Sequence, residues 1–277
     1  MSRRGGAVVT GAGSGLGREI ATRLGAAGFH VLVTDVDEAS ARSVAAEVTG
    51  AGGTATALSL DVRDQEAARE AARTAVEHAG SLALWVNNAG VLITGPLWEQ
   101  DDTQRRLMFE VNALGTMHGT VAALEVMRPA GRGHVVNIAS LAGLVSVPGE
   151  GVYAATKHAV VGLSTSTLAD LRAAGERGVH ISCVCPDGMW TPMLHDKLDD
   201  PQASMSFSGQ LLQPADVADA VVRLVDRPRP VLALPRWRGV EARLFDLSPS
   251  LATRAAPLVV RLSRVQQKAA ARRLRNT

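Results

Sequence analysis

The side chains best suited to chemistry are a tyrosine and a lysine four positions apart. Tyr153 is the only tyrosine of the 277-residue chain, and Lys157 follows it in the run YAATK. Positions i and i+4 share a helical face, so this spacing places a phenol beside an ammonium group. A phenol has a pKa of about 10, and lowering it to about 7 with a nearby positive charge requires roughly 4 kcal/mol. Ordinary helices also carry this spacing, so other motifs must decide whether the pair is catalytic.

Short apolar segments alternate with amphipathic ones over most of the chain. The pattern predicts strands at 7–10, 31–35, 54–60, 82–86, 134–139 and 179–185, a candidate seventh strand at 230–235, and helices at 18–27, 39–49, 65–79, 103–127, 153–173 and 214–225. Near-continuous apolar strands between helices indicate a parallel sheet covered on both faces. The predicted fold class is therefore α/β, a Rossmann-type doubly wound sheet of about seven strands. We expect one domain over 1–240 and a basic helical extension over 241–277.

A glycine-rich turn, TGAGSGLG at 10–17, joins the first strand to the first helix. Glycines there allow a close backbone approach to a pyrophosphate, and the helix N-terminus offers free N–H groups. Such a loop alone can be no more than a flexible turn, but its place between strand and helix predicts phosphate binding. The predicted contacts are Gly11, Gly13, Ser14, Gly15, Leu16 and Gly17.

Asp35 ends the second predicted strand, where an acid can accept both ribose hydroxyls of an adenosine. It would repel a 2′-phosphate, and neither Ser14 nor Val36 supplies a compensating cation. The sequence therefore favours NAD over NADP. The alternative is an exposed aspartate at a helix start, a role for which Asp37 is better suited.

Composition narrows the class of protein. A formal net charge of +2 argues against a nucleic-acid-binding protein, and no apolar run reaches the length of about 18 residues that spans a bilayer. We interpret the chain as cytoplasmic. Cys183 and Cys185 lie on one predicted strand, are expected to point to opposite faces, and are interpreted as small core residues, with no disulfide and no metal site.

Several separated motifs resemble the short-chain dehydrogenase/reductase family over about residues 5–235. They are the TGxxxGxG turn at 10–17, Asp61-Val62, NNAG at 87–90, Asn112, Ser140, the YxxxK pair and the segment 186–191. The resemblance implies that Asp61 and Val62 contact the adenine and that Asn88, Ala89 and Gly90 follow the cofactor ribose. It implies for Asn112 a part in a water-mediated proton relay to the lysine. Without the resemblance, NNAG would be only a tight turn.

The resemblance also assigns the catalytic roles. Tyr153 would exchange a proton with the substrate oxygen, which the Ser140 hydroxyl would hold, although Ser140 alone would be interpreted as a helix or turn cap. Lys157 would lower the phenol pKa and hydrogen-bond the nicotinamide ribose, so Tyr153 and Lys157 also count as cofactor contacts. Pro186, Gly188 and Thr191 would complete the cofactor site. The family usually has Pro-Gly here, and we expect Asp187 to tolerate a left-handed backbone in that turn.

The predicted substrate is an alcohol or ketone of apolar character. Besides Ser140 and Tyr153, Trp190 is the predicted substrate contact, within an apolar lid that would include Met193, Leu194, Met205, Phe207, Leu211 and Leu212. A merely packed loop is the competing interpretation. His195 is interpreted as a surface or lid histidine rather than a base.

The last segment is basic. From Arg254 onward it holds seven basic residues and no acid, and Leu258, Leu262, Val265 and Ala269 share a helical face. A basic amphipathic helix can lie on an anionic membrane. Packing on another subunit and a frayed tail remain alternatives, and the resemblance implies a homotetramer in preference to a homodimer.

Three functions remain open at this point. The leading one is an NAD-dependent dehydrogenase or carbonyl reductase, and the second is an NADP-preferring reductase. The third is a nucleotide-sensing or membrane-scaffold protein that kept the fold and lost the chemistry. The complete set of Ser140, Tyr153 and Lys157 argues against the third, because a binding-only descendant need not retain all three.

Overall fold

Seven parallel strands form one sheet in the order β3-β2-β1-β4-β5-β6-β7. The computed structural model describes residues 4–275, with side chains through Arg272, and residues 1–3, 276 and 277 lie outside the described part. The strands are β1 Gly6–Thr10, β2 His30–Asp35, β3 Thr54–Ser59, β4 Leu82–Asn87, β5 Gly133–Ile138, β6 Val179–Pro186 and β7 Val231–Leu234. The predicted doubly wound α/β fold is confirmed. The strand order reverses direction between β1 and β4, where such sheets bind their ligands.

The helices cover both faces of this sheet. They are α1 Gly15–Ala26, α2 Glu38–Gly50, α3 Gln65–Ala79, α4 Asp102–Met108, α5 Gly115–Met127, α6 Gly151–Ala173, α7 Pro192–His195, α8 Pro214–Asp226, α9 Arg236–Asp246 and α10 Pro249–Arg275. A π-helical segment, Phe109–Leu114, joins α4 to α5, and 3₁₀ turns lie at Leu141–Gly143 and Pro201–Phe207. One apolar layer forms beneath α1 and α8 and the other beneath α3 and α5.

Helix α3 shows how the local sequence sets these elements. Asp64 caps its N-terminus by accepting hydrogen bonds from the backbone N–H groups of Glu66 and Ala67, at 2.8 and 3.1 Å. Gly80 ends it at φ 76°, a left-handed conformation that glycine adopts without steric cost. The buried face consists of alanines, which allows close packing against the sheet.

Three local predictions were wrong. The first helix begins at Gly15 rather than Arg18, so the glycines form its first turn. The predicted helix 103–127 is interrupted by the π-helical segment, which contains Asn112. Cys183 and Cys185 point to the same face, with their Sγ atoms 3.9 Å apart, because positions i and i+2 of a strand lie on one side of the sheet.

The chain beyond β7 forms two helices that pack on the body of the protein. The predicted start of the extension, at 241, falls inside α9. Helix α10 packs on the 3₁₀ turn Pro201–Phe207, and the Gln267 side-chain amide donates to the Lys197 and Asp200 carbonyls at 2.9 and 2.7 Å. Among the described residues, no helix combines the length and the apolar character needed to cross a bilayer.

Candidate active site

The carboxyl ends of β1, β4, β5 and β6 bring the predicted motifs to one edge of the sheet. The glycine turn follows β1, the NNAG segment follows β4, Ser140 follows β5, and Pro186 closes β6. Helix α6 carries Tyr153 and Lys157 to the same edge. Residues separated by up to about 180 positions in the sequence therefore line a single cleft.

The glycine turn has the form of a phosphate cradle. Gly11 has φ 60°, and a Cβ there would lie 2.7 Å from the Cα of Ala89. Ser14 is exposed and makes no side-chain hydrogen bond to the first turn of α1, which also holds no acidic residue. The amides at this helix end are therefore available to an anion, as a dinucleotide requires.

Two neighbours complete the cradle. Asp35 accepts a hydrogen bond from the Gly13 N–H through Oδ2, at 2.9 Å, so it supports the turn as well as ending β2. A Cβ on Gly15 would lie 3.5 Å from Cγ2 of Thr191, so the segment after β6 faces the glycine turn across the cleft. These contacts fit a nicotinamide dinucleotide held between the two segments.

Three of the other predicted cofactor residues already make contacts within the protein or are buried. The Asn88 side chain donates to the Thr10 and Gly11 carbonyls, each at 2.9 Å, so it ties β4 to β1. The Asp61 carboxylate is engaged by Arg63, whose hydrogen bonds hold the pKa of that carboxyl below its usual range. Val62 is buried. Asn88, Asp61 and Val62 shape the cleft through contacts within the protein.

The predicted catalytic residues lie together. The Lys157 Nζ is 5.6 Å from the centroid of the Tyr153 ring, so both side chains use one face of α6, as predicted. Lys157 also donates to the Ile138 carbonyl at 3.1 Å, directly before the Ser140 segment. The Ser140 hydroxyl hydrogen-bonds Tyr153 and accepts from the Ala142 N–H at 3.1 Å, so it combines capping with a place beside the phenol.

Asn112 is fully buried and its side-chain amide is engaged on both sides. Oδ1 accepts from the Val91 N–H at 2.8 Å, and Nδ2 donates to the Val91 carbonyl at 2.9 Å and to Thr156 Oγ1 at 3.1 Å. A Cβ on Gly90 would lie 3.2 Å from Asn112 Oδ1 and 3.6 Å from Lys157 Nζ. Asn112 therefore links the NNAG segment to α6, close to the lysine.

A buried polar network holds α6 against the sheet. The Asn87 side chain donates to Asn137 Oδ1 at 2.8 Å, and Asn137 donates to Ser164 Oγ of α6 at 2.9 Å. Trp85 Nε1 donates to Asn87 Oδ1 at 2.7 Å. Because every link lies in the interior, where unpaired polar groups are costly, the network fixes where α6 presents its tyrosine.

In the protein alone, the surroundings of Tyr153 raise the pKa of its phenol. Burial and the nearby Glu150 carboxyl raise the pKa of Tyr153, and the hydrogen bond with Ser140 acts in the opposite direction. Burial lowers the pKa of Lys157 to about 8. Burial therefore favours the protonated phenol in the chain itself, and additional positive charge is needed to form the phenolate.

A cavity of about 820 Å³ opens beside Ser140 and Tyr153. Met193, Leu194 and Met205 of the predicted lid line it, whereas Phe207 is buried behind them in a cluster with Leu194 and Ala203. Trp190, the predicted substrate contact, does not line this cavity in the part of the chain that the structure describes. Its ring lies 5.4 Å from that of His195, which keeps it beside α7.

Sequence reasoning missed two polar features of this cavity. Glu150 is 2% exposed, its Oε1 accepts from Ser206 Oγ at 2.6 Å, and burial raises its pKa to about 7. Arg238 of α9 donates to Asp187 Oδ2 at 2.8 Å and to Ser208 Oγ at 2.9 Å. No sequence motif marks these residues; a glutamate three positions before the tyrosine was the only available signal.

Asp187 has a different backbone from the one predicted. Among the described residues only glycines have positive φ, so Asp187 is not left-handed. Its N–H continues β6 by donating to the Leu234 carbonyl at 2.8 Å, and its Oδ1 accepts from the Gly188 N–H at 3.0 Å. The aspartate thus extends the pairing of β6 with β7 and holds Arg238 through its Oδ2.

Fold and site together define a nucleotide-binding oxidoreductase, with a glycine-rich turn and a phenol beside a lysine at one sheet edge. The family model described as short chain dehydrogenase matches residues 6–202. The chain therefore belongs to the short-chain dehydrogenase/reductase family, whose members use a nicotinamide dinucleotide. Among described residues, no cluster of three or more His, Cys, Asp or Glu side chains is arranged to hold a metal ion.

Individual relatives agree with this family. A 1-deoxy-11-beta-hydroxypentalenate dehydrogenase of Streptomyces exfoliatus is 39% identical over 193 residues, 68% of this chain and 68% of that protein. A cyclopentanol dehydrogenase of Comamonas testosteroni is 33% identical over 223 residues, 79% of this chain and 88% of that protein. The crystal structure of a short chain dehydrogenase/reductase from Burkholderia phymatum in complex with NAD superimposes with a TM-score of 0.82 at 30% identity, covering 90% of this chain and 95% of that one.

Proposed function

We propose that the protein is an NAD-preferring dehydrogenase that interconverts a secondary alcohol and a ketone on an apolar substrate. One observation carries this function: Ser140 and Tyr153 line one cavity, Lys157 Nζ lies 5.6 Å from the Tyr153 ring, and Thr191 of the same cavity faces the glycine turn. Relatives named for a hydroxypentalenate and for cyclopentanol support an alicyclic or similarly apolar substrate. Asp35 at the end of β2 supports NAD over NADP, because a carboxylate repels a 2′-phosphate.

The proposed chemistry belongs to the chain's own side chains. In oxidation, the Tyr153 phenolate oxygen accepts the proton of the substrate hydroxyl, and in reduction the phenol donates that proton to the carbonyl oxygen. The Ser140 hydroxyl holds the same oxygen and stabilises charge that develops on it. A bound NAD⁺ would supply the hydride acceptor for the carbinol carbon and positive charge near the phenol.

Binding is assigned to the cradle. Gly11, Gly13, Ser14, Gly15, Leu16 and Gly17 would hold the pyrophosphate, and Asp35, Asp61 and Val62 the adenosine. Asn88, Ala89, Gly90, Tyr153, Lys157, Pro186, Gly188 and Thr191 would surround the nicotinamide half. Asn112, through its bonds to the Val91 backbone and Thr156, would keep Lys157 within reach of a water that relays protons.

The setting of the enzyme is part of the proposal. We infer a cytoplasmic homo-oligomer, a tetramer in preference to a dimer, with peripheral membrane contact through the basic C-terminal helix. Exposed Phe109, Leu114 and Met117 support self-association, since large apolar side chains on a helix surface favour partners.

A substrate and cofactor panel tests this function. Cyclic, aliphatic and polycyclic secondary alcohols and their ketones are assayed by the absorbance of the reduced cofactor, with NAD and NADP in parallel. We expect turnover of apolar substrates and a higher kcat/KM with NAD. Binding of NAD without turnover of any substrate would favour the nucleotide-sensing alternative, and a preference for NADP would favour the second reductase.

A further inference from the structure

Helix α10 contacts the body of the protein through small and polar residues. Ser263, Gln267 and Ala271 are each at most 8% exposed, and Gln267 donates two hydrogen bonds to backbone carbonyls. This face sets the rotation of α10 about its axis. The large apolar side chains on the opposite side of the helix therefore lie outside this contact.

Those side chains form an exposed apolar strip. Leu251, Leu258, Leu262 and Val265 are each more than half exposed, and their spacing of i, i+7, i+11 and i+14 puts them on one helical face. Helix α9 adds Trp237, Val240 and Leu244, also more than half exposed, at i, i+3 and i+7. Several large apolar side chains exposed on one face of a helix mark an interaction site.

The charge on α10 is of one sign. No aspartate or glutamate occurs after Asp246, and Arg254, Arg261, Arg264, Lys268 and Arg272 are exposed on α10. At roughly 100° per residue, Arg254, Arg261 and Arg272 lie about a quarter turn or less from the strip, on the side away from the buried face. An apolar stripe flanked by cations is the arrangement that lies in the interface of an anionic bilayer.

A second copy of the chain is a poorer occupant of this face. A two-fold dimer brings the same patch of each subunit together, so the basic flank of α10 would meet its own copy. Like charges placed opposite one another oppose association, whereas anionic lipid compensates them. Charge therefore selects a lipid surface over self-association here.

The strip borders the substrate cavity. Leu262 and Phe245 line the cavity, yet they are 58% and 41% exposed, so they lie at its opening. Ala252, Ala256 and Val259 of α10 continue the wall inward. The same helix thus forms part of the cavity and presents the strip outward.

We propose that α9 and α10 dock on an anionic membrane and that the cavity receives lipophilic alcohols or ketones from that membrane. This inference rests on the proposed alcohol–ketone function for its substrate and on the surface of α10 for its partner. The substrate class it names is one that partitions into lipid, such as a long-chain secondary alcohol or its ketone.

Vesicle binding tests the partner without any assay of activity. The full chain, Leu258→Gln/Val265→Gln and the matched control Leu97→Gln/Trp98→Gln are sedimented with phosphatidylglycerol–phosphatidylcholine vesicles and with phosphatidylcholine alone. Neither altered residue of the first variant lines the cavity, and Leu97 and Trp98 are also apolar residues more than half exposed, distant in sequence. We expect salt-sensitive binding to the anionic vesicles, weakened roughly tenfold in the first variant and unchanged in the control.

Kinetics then test the route of the substrate. 2-Tetradecanol presented in the anionic vesicles should lose kcat/KM in Leu258→Gln/Val265→Gln by a similar factor. A water-soluble alcohol from the substrate panel should be oxidised by both proteins at the same rate.

Failure of this inference differs from failure of the proposed function. Equal binding of all three proteins to both kinds of vesicle, or unchanged kinetics with 2-tetradecanol in the variant, overturns the membrane proposal while soluble substrates are still oxidised. Suppose that the parent protein binds no vesicles and that Leu258→Gln/Val265→Gln has a lower mass in solution than the parent. That result overturns the membrane proposal in favour of self-association. Absence of turnover with every alcohol and ketone overturns the proposed alcohol–ketone function. The vesicle-binding measurement still decides whether α9 and α10 dock on an anionic membrane.

Discussion

At the scale of single residues, the site depends on one phenol whose pKa the protein alone does not lower. We expect Tyr153→Phe to reduce kcat by about 10²–10⁴-fold, because the ring remains but the exchangeable proton is gone. NAD affinity, measured by fluorescence titration, should change little, since the cradle lies on other segments. Turnover equal to that of the parent protein would remove Tyr153 from the mechanism.

Glu150 gives the site a pH-dependent stability. Its folded-state pKa, raised by burial to about 7, lies above the ordinary value of 4.5, so the folded protein retains a proton that the unfolded chain releases. Stability is therefore lost as pH rises from about 4.5 through about 7. Glu150→Gln keeps an acceptor for Ser206 and removes the charge, so we expect a gain of at most about 3 kcal/mol at pH 8 that shrinks towards pH 5.

Thermal unfolding measured between pH 5 and pH 8 checks this expectation. The control is Glu77→Gln on the exposed surface of α3, which should change the free energy of unfolding by less than about 0.5 kcal/mol at every pH. A Glu150→Gln difference that stays constant with pH would show that the carboxyl titrates normally.

At the scale of elements, α9 is joined to the segment after β6 through one ion pair. The Arg238 and Asp187 side chains are 19% and 10% exposed, and Asp187 also holds the Gly188 N–H. Removing the cation leaves a nearly buried carboxylate unpaired, so we expect Arg238→Met to lower stability by about 1–3 kcal/mol. NAD affinity should fall as well, because Gly188 and Thr191 follow directly.

A double-mutant cycle separates this pair from general packing. Asp187→Asn added to Arg238→Met should recover part of the lost stability, because the unpaired charge is gone. Arg236→Met, an exposed position on the same helix, should behave like the parent protein. Equal losses for Arg236→Met and Arg238→Met in denaturant unfolding would contradict the role given to the pair.

The elements also show what local sequence can and cannot reveal. All seven strands were predicted, because a buried parallel strand is a nearly continuous apolar run, and the YxxxK spacing placed Tyr153 and Lys157 on one face. The π-helical turn at Asn112 was not, since a single wide turn hardly disturbs the 3.6-residue period. The Arg238–Asp187 pair spans 51 positions, and only the tertiary fold brings the two together.

At the scale of the whole molecule, two separate apolar surfaces have different expected partners. Leu251, Leu258 and Val265 adjoin cations on α10, which favours anionic lipid. Phe109, Leu114 and Met117, each a little over 40% exposed, lie on the π-helical segment and α5. The position of Asn112 between Phe109 and Leu114 means that self-association at this surface would also brace the helix that supports Lys157.

The surface formed by Phe109, Leu114 and Met117 is expected to hold the subunits together. A homo-oligomer of 29.0-kDa chains should dissociate when Leu114→Glu and Met117→Glu are combined, because carboxylates buried at an interface without partners strongly oppose association. Light scattering after size exclusion should show the mass falling from a multiple of 29.0 kDa to that of a single chain. Vesicle binding should persist per chain, since α10 is unchanged, whereas Leu258→Gln/Val265→Gln should keep the oligomer and bind vesicles roughly tenfold more weakly. A parent protein that is already a single chain in solution, or a double variant that retains its mass, would contradict self-association through this surface.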